Sequence, residues 1–114
     1  MRHLVIENLP SKELTEGVTL KEAHLDNVMV TFVDLEEGSV VPPHSHPQEQ
    51  ISLVISGRLL FTVDGEEKMV KAGEAVLVPS GAEHSVLVVD GPAVAYDCWS
   101  PIRKDYIIES PEKN

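Results

Sequence analysis

The sequence is short of several things at once. It has one cysteine, Cys98, in 114 residues, which excludes an internal disulfide and a cysteine-rich zinc site. Basic residues are scarce, 9 Lys and Arg against 19 Asp and Glu, for a formal net charge of −10. A field of that sign argues against duplex DNA and anionic membranes as partners. No apolar run approaches the roughly 18 residues of a membrane helix. The opening, Met1-Arg2-His3-Leu4-Val5-Ile6-Glu7, lacks the apolar core of a signal peptide. A cytoplasmic protein with neither a nucleic-acid nor a membrane partner is therefore expected. What is present, 42% hydrophobic and 25% charged residues, suits one compact domain that needs no disulfide staple.

Helix signals are nearly absent as well. Asn8 to Glu16 offers at best one short turn around Pro10. From Val18 onward the chain reads as short β-prone runs: Val18–Leu25, Val28–Val33, Ile51–Ile55, Leu59–Val63, Met69–Lys71, Ala75–Val78, Ser85–Val89 and Ala93–Trp99. Asp26-Asn27 and Asp64-Gly65 have the length and residue types of two-residue hairpin turns, and Gly57 suits a sharp bend. Turn signals at this spacing predict an all-β sandwich or barrel. Several runs are apolar on both faces, so part of the outside is expected to be covered. The division expected is an N-terminal segment, 1–17, packed on the barrel or on a partner, a barrel over 18–108, and a polar tail over 109–114.

The chemistry-bearing residues start with histidine. His44 and His46 lie in Pro42-Pro43-His44-Ser45-His46-Pro47. In extended chain, residues i and i+2 project from one face, so both rings can reach one ion at about 2.0–2.2 Å. The flanking prolines reduce the entropy of holding them there. His84 opens a β-run after Pro79-Ser80-Gly81 and can reach in from a neighbouring strand. In the last run, Ala95, Asp97 and Trp99 share one face by period 2, with Tyr96 and Cys98 on the other. An acid and a large aromatic facing inward make a plausible acid/base group and sugar platform, and Arg103 a bidentate carboxylate clamp. Cys98 reads as a small buried hydrophobe, and His3 and His24 as ordinary polar positions.

The wider spacing resembles the two motifs of the cupin superfamily. Gly38, five residues, His44, one, His46, three, Gln50, six, Gly57 matches the first motif; Gly73, five, Pro79-Ser80-Gly81, two, His84 matches the second. Fifteen residues separate Gly57 from Gly73. Gln50 stands where the family usually has Glu, and Val88 where the second motif often closes on Asn. The resemblance implies a double-stranded β-helix, or jelly roll, with a divalent transition metal (Ni, Zn, Mn or Fe) held by His44, His46, Gln50 and His84. Glu49 is the rival to Gln50, and only one of two adjacent strand residues can face the ion. With Gln50 the ligand set is neutral and leaves the full dication charge on the metal.

Val40-Val41-Pro42-Pro43-His44-Ser45-His46-Pro47, Glu49-Gln50-Ile51-Ser52, Ser56-Gly57-Arg58 and Asp97-x-Trp99-Ser100-Pro101-x-Arg103-x-Asp105 are similar to the KdgF pectin-degradation family. That family opens the ring of 4,5-unsaturated uronate monosaccharides to linear 4-deoxy-5-keto uronates. The resemblance implies catalytic roles for Asp97, Trp99 and Arg103, with Trp99 where the family has Phe, and substrate binding by Arg103, Trp99 and Arg58. The competing functions are a metal-dependent oxygenase of a small organic acid and a non-catalytic sugar- or acid-binding module. A homodimer and a carboxylated sugar as ligand are also expected.

Overall fold

The computed structural model describes residues 1–109; beyond Glu109, the expected polar tail lies outside the described residues. Ten strands run in chain order: β1 (Lys12–Thr15), β2 (Val18–His24), β3 (Met29–Leu35), β4 (Val40–His44), β5 (Glu49–Ser56), β6 (Arg58–Val63), β7 (Glu66–Lys71), β8 (Ala75–Val78), β9 (His84–Leu87) and β10 (Ala93–Ser100). They form a six-stranded sheet, β1-β2-β3-β10-β5-β8, facing a four-stranded sheet, β4-β9-β6-β7. Short antiparallel strands in two facing layers make the all-β jelly roll that the strand spacing predicted. Single 3-10 turns at Ile6–Asn8 and Lys104–Tyr106 are the helical elements among the described residues.

The core lies between the layers and follows from period 2. Inward residues of β3 are Met29, Thr31, Val33 and Leu35, and of β5 are Gln50, Ser52 and Val54. Leu59 and Phe61 on β6 and Val86 on β9 meet them from the opposite sheet. Outward residues of β5 and β8 are apolar too: Ile51, Leu53 and Leu77 are 44%, 38% and 69% exposed, which accounts for runs that are hydrophobic on both sides. The N-terminal segment runs beside the outer face of the larger sheet, where Lys21 Nζ donates to the carbonyls of Ile6 and Glu7.

Both hairpins fall where their turn residues stand. Asp64 and Gly65 have positive φ, 48° and 81°, between paired Val63 and Glu66. Leu25 N–H donates to Val28 C=O at 2.9 Å around Asp26-Asn27. Gly57 marks the crossing from β5 in one sheet to β6 in the other. Its φ is +73°, and a Cβ there would sit 2.4 Å from the Pro92 carbonyl oxygen, so the bend requires glycine.

Two strands fall outside the β-runs read from the sequence: β4, in the proline-rich stretch read only as extended chain, and β1. Lys12–Thr15, inside the stretch read as at most a turn, is a strand paired with β2. Four residues carrying Lys, Glu and Thr show no apolar period; the partner strand, not the local sequence, makes them β.

Candidate metal centre

The site is assembled by a bulge. Along β4 and β9, Val40 pairs with Leu87 and Val41 with Val86, but His44, not residue 43, pairs with His84. One extra residue in the Pro42-Pro43 stretch shifts the register. In a regular strand, Val41 and His44 would face opposite ways; the bulge turns His44 inward beside His84. His46 follows on the loop to β5 and is buried. That loop is tied to the one preceding β9: Gly81 N–H donates to His46 C=O, and Ser80 Oγ to Pro47 C=O. The three rings lie with centroids 4.2 to 5.5 Å apart, and their ligand nitrogens lie within 4.8 Å of one another.

Each ring is oriented by the backbone. His44 Nδ1 bonds Pro42 C=O at 2.8 Å, His46 Nδ1 bonds Gln48 C=O at 3.0 Å, and His84 Nδ1 bonds Ala82 C=O at 2.9 Å. A carbonyl only accepts, so each Nδ1 carries a proton and Nε2 is the nitrogen each ring turns toward the others. Gln50 faces inward and Glu49 outward, which settles which of the two adjacent residues points at the cluster. Gln50 Nε2 donates to Ser52 Oγ at 2.8 Å, so the amide is fixed with Oε1 toward the rings. His46 Nε2 is 3.1 Å from both Gln50 Oε1 and His84 Nε2. Burial holds the pKa of His46 and of His84 below the ordinary imidazole value, against the pull of their carbonyl partners. His46 and His84, so oriented, face the lone pairs of their Nε2 atoms at each other with no hydrogen between them. That arrangement fits a bound cation, and the residues that would hold it are His44, His46, His84 and Gln50. An all-N/O set of this kind suits several divalent transition metals.

A polar band continues inward from the amide. On β10, Asp97 lies opposite Thr31 of β3 and Ser52 of β5, and Trp99 opposite Met29 and Gln50. Burial pushes the Asp97 carboxyl up to about 6, although hydrogen bonds with Ser52 and Gln50 pull it down. The surface it retains opens onto a cavity of about 50 Å³, lined at this end by His44, His84, Gln50, Asp97, Trp99 and Tyr106. That is room for a few water molecules. Trp99 is buried, with its Nε1 donating to Thr31 Oγ1 at 3.0 Å and its ring 5.1 Å from His46.

Arg103 comes back over this group from the segment after β10. Its guanidinium carbon is 4.0 Å from the centre of the Tyr106 ring and 5.1 Å from that of Trp99. Nε and Nη2 are both occupied by the Asp105 carboxylate, at 3.1 and 2.8 Å. The expected two-pronged grip on a ligand carboxylate is therefore already taken by Asp105; Nη1, buried, is the nitrogen without a partner. Arg58 is not brought to the site. It pairs with Lys71 at one end of β6, whereas Val63, at the other end, pairs with His84. Arg58 is exposed and ion-paired with Asp90, so it does not line a sugar subsite here. His24 bonds Glu22 at 2.8 Å, and Cys98 is half-buried on the outer face of β10 rather than fully buried. Tyr106 and Asp105 were missed as site residues, because neither shares a strand period with the residues they touch.

A jelly roll with three histidines and an amide converging at its open end defines a cupin, and the chain belongs to the Cupin domain family, whose model matches residues 31–99. It is 28% identical over 108 residues to the pectin degradation protein KdgF of Dickeya dadantii, covering 93% of this chain and 98% of that protein. Its fold is that of KdgF from Halomonas sp., with a TM-score of 0.89 at 24% identity, covering 94% of this chain and 99% of that one. An RmlC-like cupin from Shewanella frigidimarina superposes with a TM-score of 0.87 at 23% identity, covering 94% and 97%. Among the described residues, no helix is long and apolar enough to cross a membrane.

Proposed function

We propose that the protein opens the ring of 4,5-unsaturated uronate monosaccharides to linear 4-deoxy-5-keto uronates. The observation that carries the reading is the position of Asp97: a carboxyl pushed up to about 6 by burial, lining the same cavity as His44, His84 and Gln50 of the cluster. Similarity to the Dickeya dadantii pectin degradation protein along almost its whole length supports it. The reaction is an isomerisation. A proton leaves the anomeric hydroxyl, the bond from C1 to the ring oxygen breaks, C1 becomes a carbonyl, and C4 gains a proton as the enol at C5 becomes a ketone. A group that both takes and gives a proton near neutral pH suits this, because its basic and acidic forms are both populated. Asp97 fills that role.

The remaining residues bind and orient. A metal at the cluster would supply a localised positive charge and a Lewis-acidic anchor for ligand oxygens. The net charge of −10 repels a uronate at long range, so positive charge close to the cavity must capture it. With Arg58 remote, Arg103, stacked on the cavity residues Trp99 and Tyr106, is the chain's contribution. Trp99 gives one face of the sugar an apolar wall. The cavity is too small for the ring, which rests at its mouth.

Loss of the ultraviolet absorbance of the conjugated enol ether, on mixing metal-loaded protein with an unsaturated galacturonate- or alginate-derived monomer, tests the reading. No loss with either monomer refutes it. Oxygen uptake on a small organic acid would establish the oxygenase alternative, and binding without turnover the binding module. We also propose a cytoplasmic homodimer paired through the outer face of the six-stranded sheet, where Ile51, Leu53 and Leu77 are exposed. A monomeric mass in gel filtration would refute the dimer.

A further inference from the structure

We propose that the Tyr106 hydroxyl is a catalytic hydrogen-bond donor to the ring oxygen as that oxygen becomes an enolate; this rests on the ring-opening reading above. When the bond from C1 to the ring oxygen breaks, its electron pair stays on the oxygen, now attached to C5 and conjugated through C4. The anomeric proton goes to the Asp97 carboxylate, and C4 later takes one proton, so nothing is gained or lost overall. The step with the greatest charge development is therefore at the former ring oxygen. A preorganised donor aimed there acts in the transition state far more than in the ground state.

The nitrogen donors lining the cavity are already engaged. Trp99 Nε1 is given to Thr31, and Gln50 Nε2 to Ser52. The Nδ1–H groups of His44 and His84 are given to backbone carbonyls. Arg103 spends Nε and Nη2 on Asp105, and its Nη1 is buried outside the cavity lining. Tyr106 lines the cavity with Asp97, and the charged group packed against it is Arg103, which has no lone pair to accept the phenolic hydrogen. The phenolic hydrogen is left for a ligand. The ring is 8% exposed and cannot swing: Arg103 lies over its face at 4.0 Å and Trp99 meets it at 5.5 Å and 82°. A cation on the ring favours negative charge shared onto the phenol. Burial holds the phenol above its ordinary pKa, so it remains a donor at neutral pH.

The test is Tyr106→Phe in the metal-loaded protein. The ring, and with it the stack on Arg103 and Trp99, is kept. The expected result is a kcat about 100-fold lower, a KM within about twofold of wild type, and unchanged affinity for saturated galacturonate by calorimetry, since ground-state binding does not use the donor. Metal content and thermal melting check that the variant is folded. A kcat within about threefold of wild type, or a loss seen in KM and saturated-acid affinity instead, overturns the inference. Should the variant fold poorly, a fluorinated tyrosine placed at position 106 alone acidifies the hydroxyl without truncating it. It is expected to change kcat and not KM; an unchanged kcat overturns the proposal. Wild-type protein without turnover removes the ring-opening reading and this inference together, whereas an active wild type with an equally active variant removes only this one.

Discussion

His46 and His84 bring their Nε2 atoms to 3.1 Å of each other while both Nδ1–H groups are given to backbone carbonyls. Two lone pairs facing at that distance repel, and a shared cation turns the same geometry into attraction. Stripping the metal with a chelator is expected to lower the melting temperature by several degrees and adding it back to restore them, since a ligand at 100 times its Kd contributes about 2.7 kcal/mol. His44→Ala and His84→Ala should lose the ion on dialysis, read by elemental analysis. Wild-type metal content in both variants would falsify the ligand set.

Asp97→Asn is expected to keep the metal and lose about 10²–10⁴ in kcat. Full turnover in that variant would remove Asp97 from the mechanism.

The same substitution has a pH signature in the metal-free protein. The folded pKa, pushed up to about 6 chiefly by burial, exceeds the ordinary 3.8. The native state then holds the proton more tightly than the unfolded chain. The stabilisation from Asp97 is full below about 3.8 and lost as pH rises through about 6. The Asn variant, which never ionises, should therefore gain melting temperature relative to wild type between pH 4 and pH 7. A difference that stays flat over that range would mean the carboxyl is not desolvated.

The two arginines singled out in the sequence should separate cleanly. Arg103→Lys loses the fork on Asp105 and the stack on Tyr106, so KM for the uronate should rise about tenfold or more. Arg58→Ala, at the far end of β6 from His84, should leave KM within about twofold. Equal effects from both would put the substrate somewhere other than the histidine end.

Gly57→Ala would press a Cβ against the Pro92 carbonyl at positive φ, at a cost of about 1–3 kcal/mol. Denaturant midpoints measure it. Metal stoichiometry in the folded fraction should not change, because the bend lies at the opposite end of β6 from His84.

Most of this site could be read from spacing because its ligands are short-range in sequence or follow glycine and proline landmarks. The His-x-His pair and Gln50 stand out by their spacing to Gly38 and Gly57, and the shared face of Asp97 and Trp99 follows from strand period. The bulge at Pro42-Pro43 could not be foreseen that way, since it exists only relative to β9. Arg58 looked promising beside Gly57, yet strand direction carries it away from the histidines. Arg103 was found, but its engagement with Asp105 was not: two residues apart outside a regular strand, their relative direction has no period to predict it. Tyr106 sits in an irregular segment whose path is set by packing against Trp99. β1 owes its conformation wholly to β2.

The proline pair that turns His44 toward the metal cluster has a second effect on the outside of the molecule. β4 is a border strand of its sheet, and a border strand with free N–H groups is a template on which other chains assemble into aggregates. Pro42 and Pro43 have no N–H to offer. The opposite border, β7, carries Glu66, Glu67, Lys68 and Lys71, which charge any approaching strand would have to desolvate. The feature that shapes the ligand set thus also keeps the four-stranded layer from growing by recruitment of its neighbours in a crowded solution.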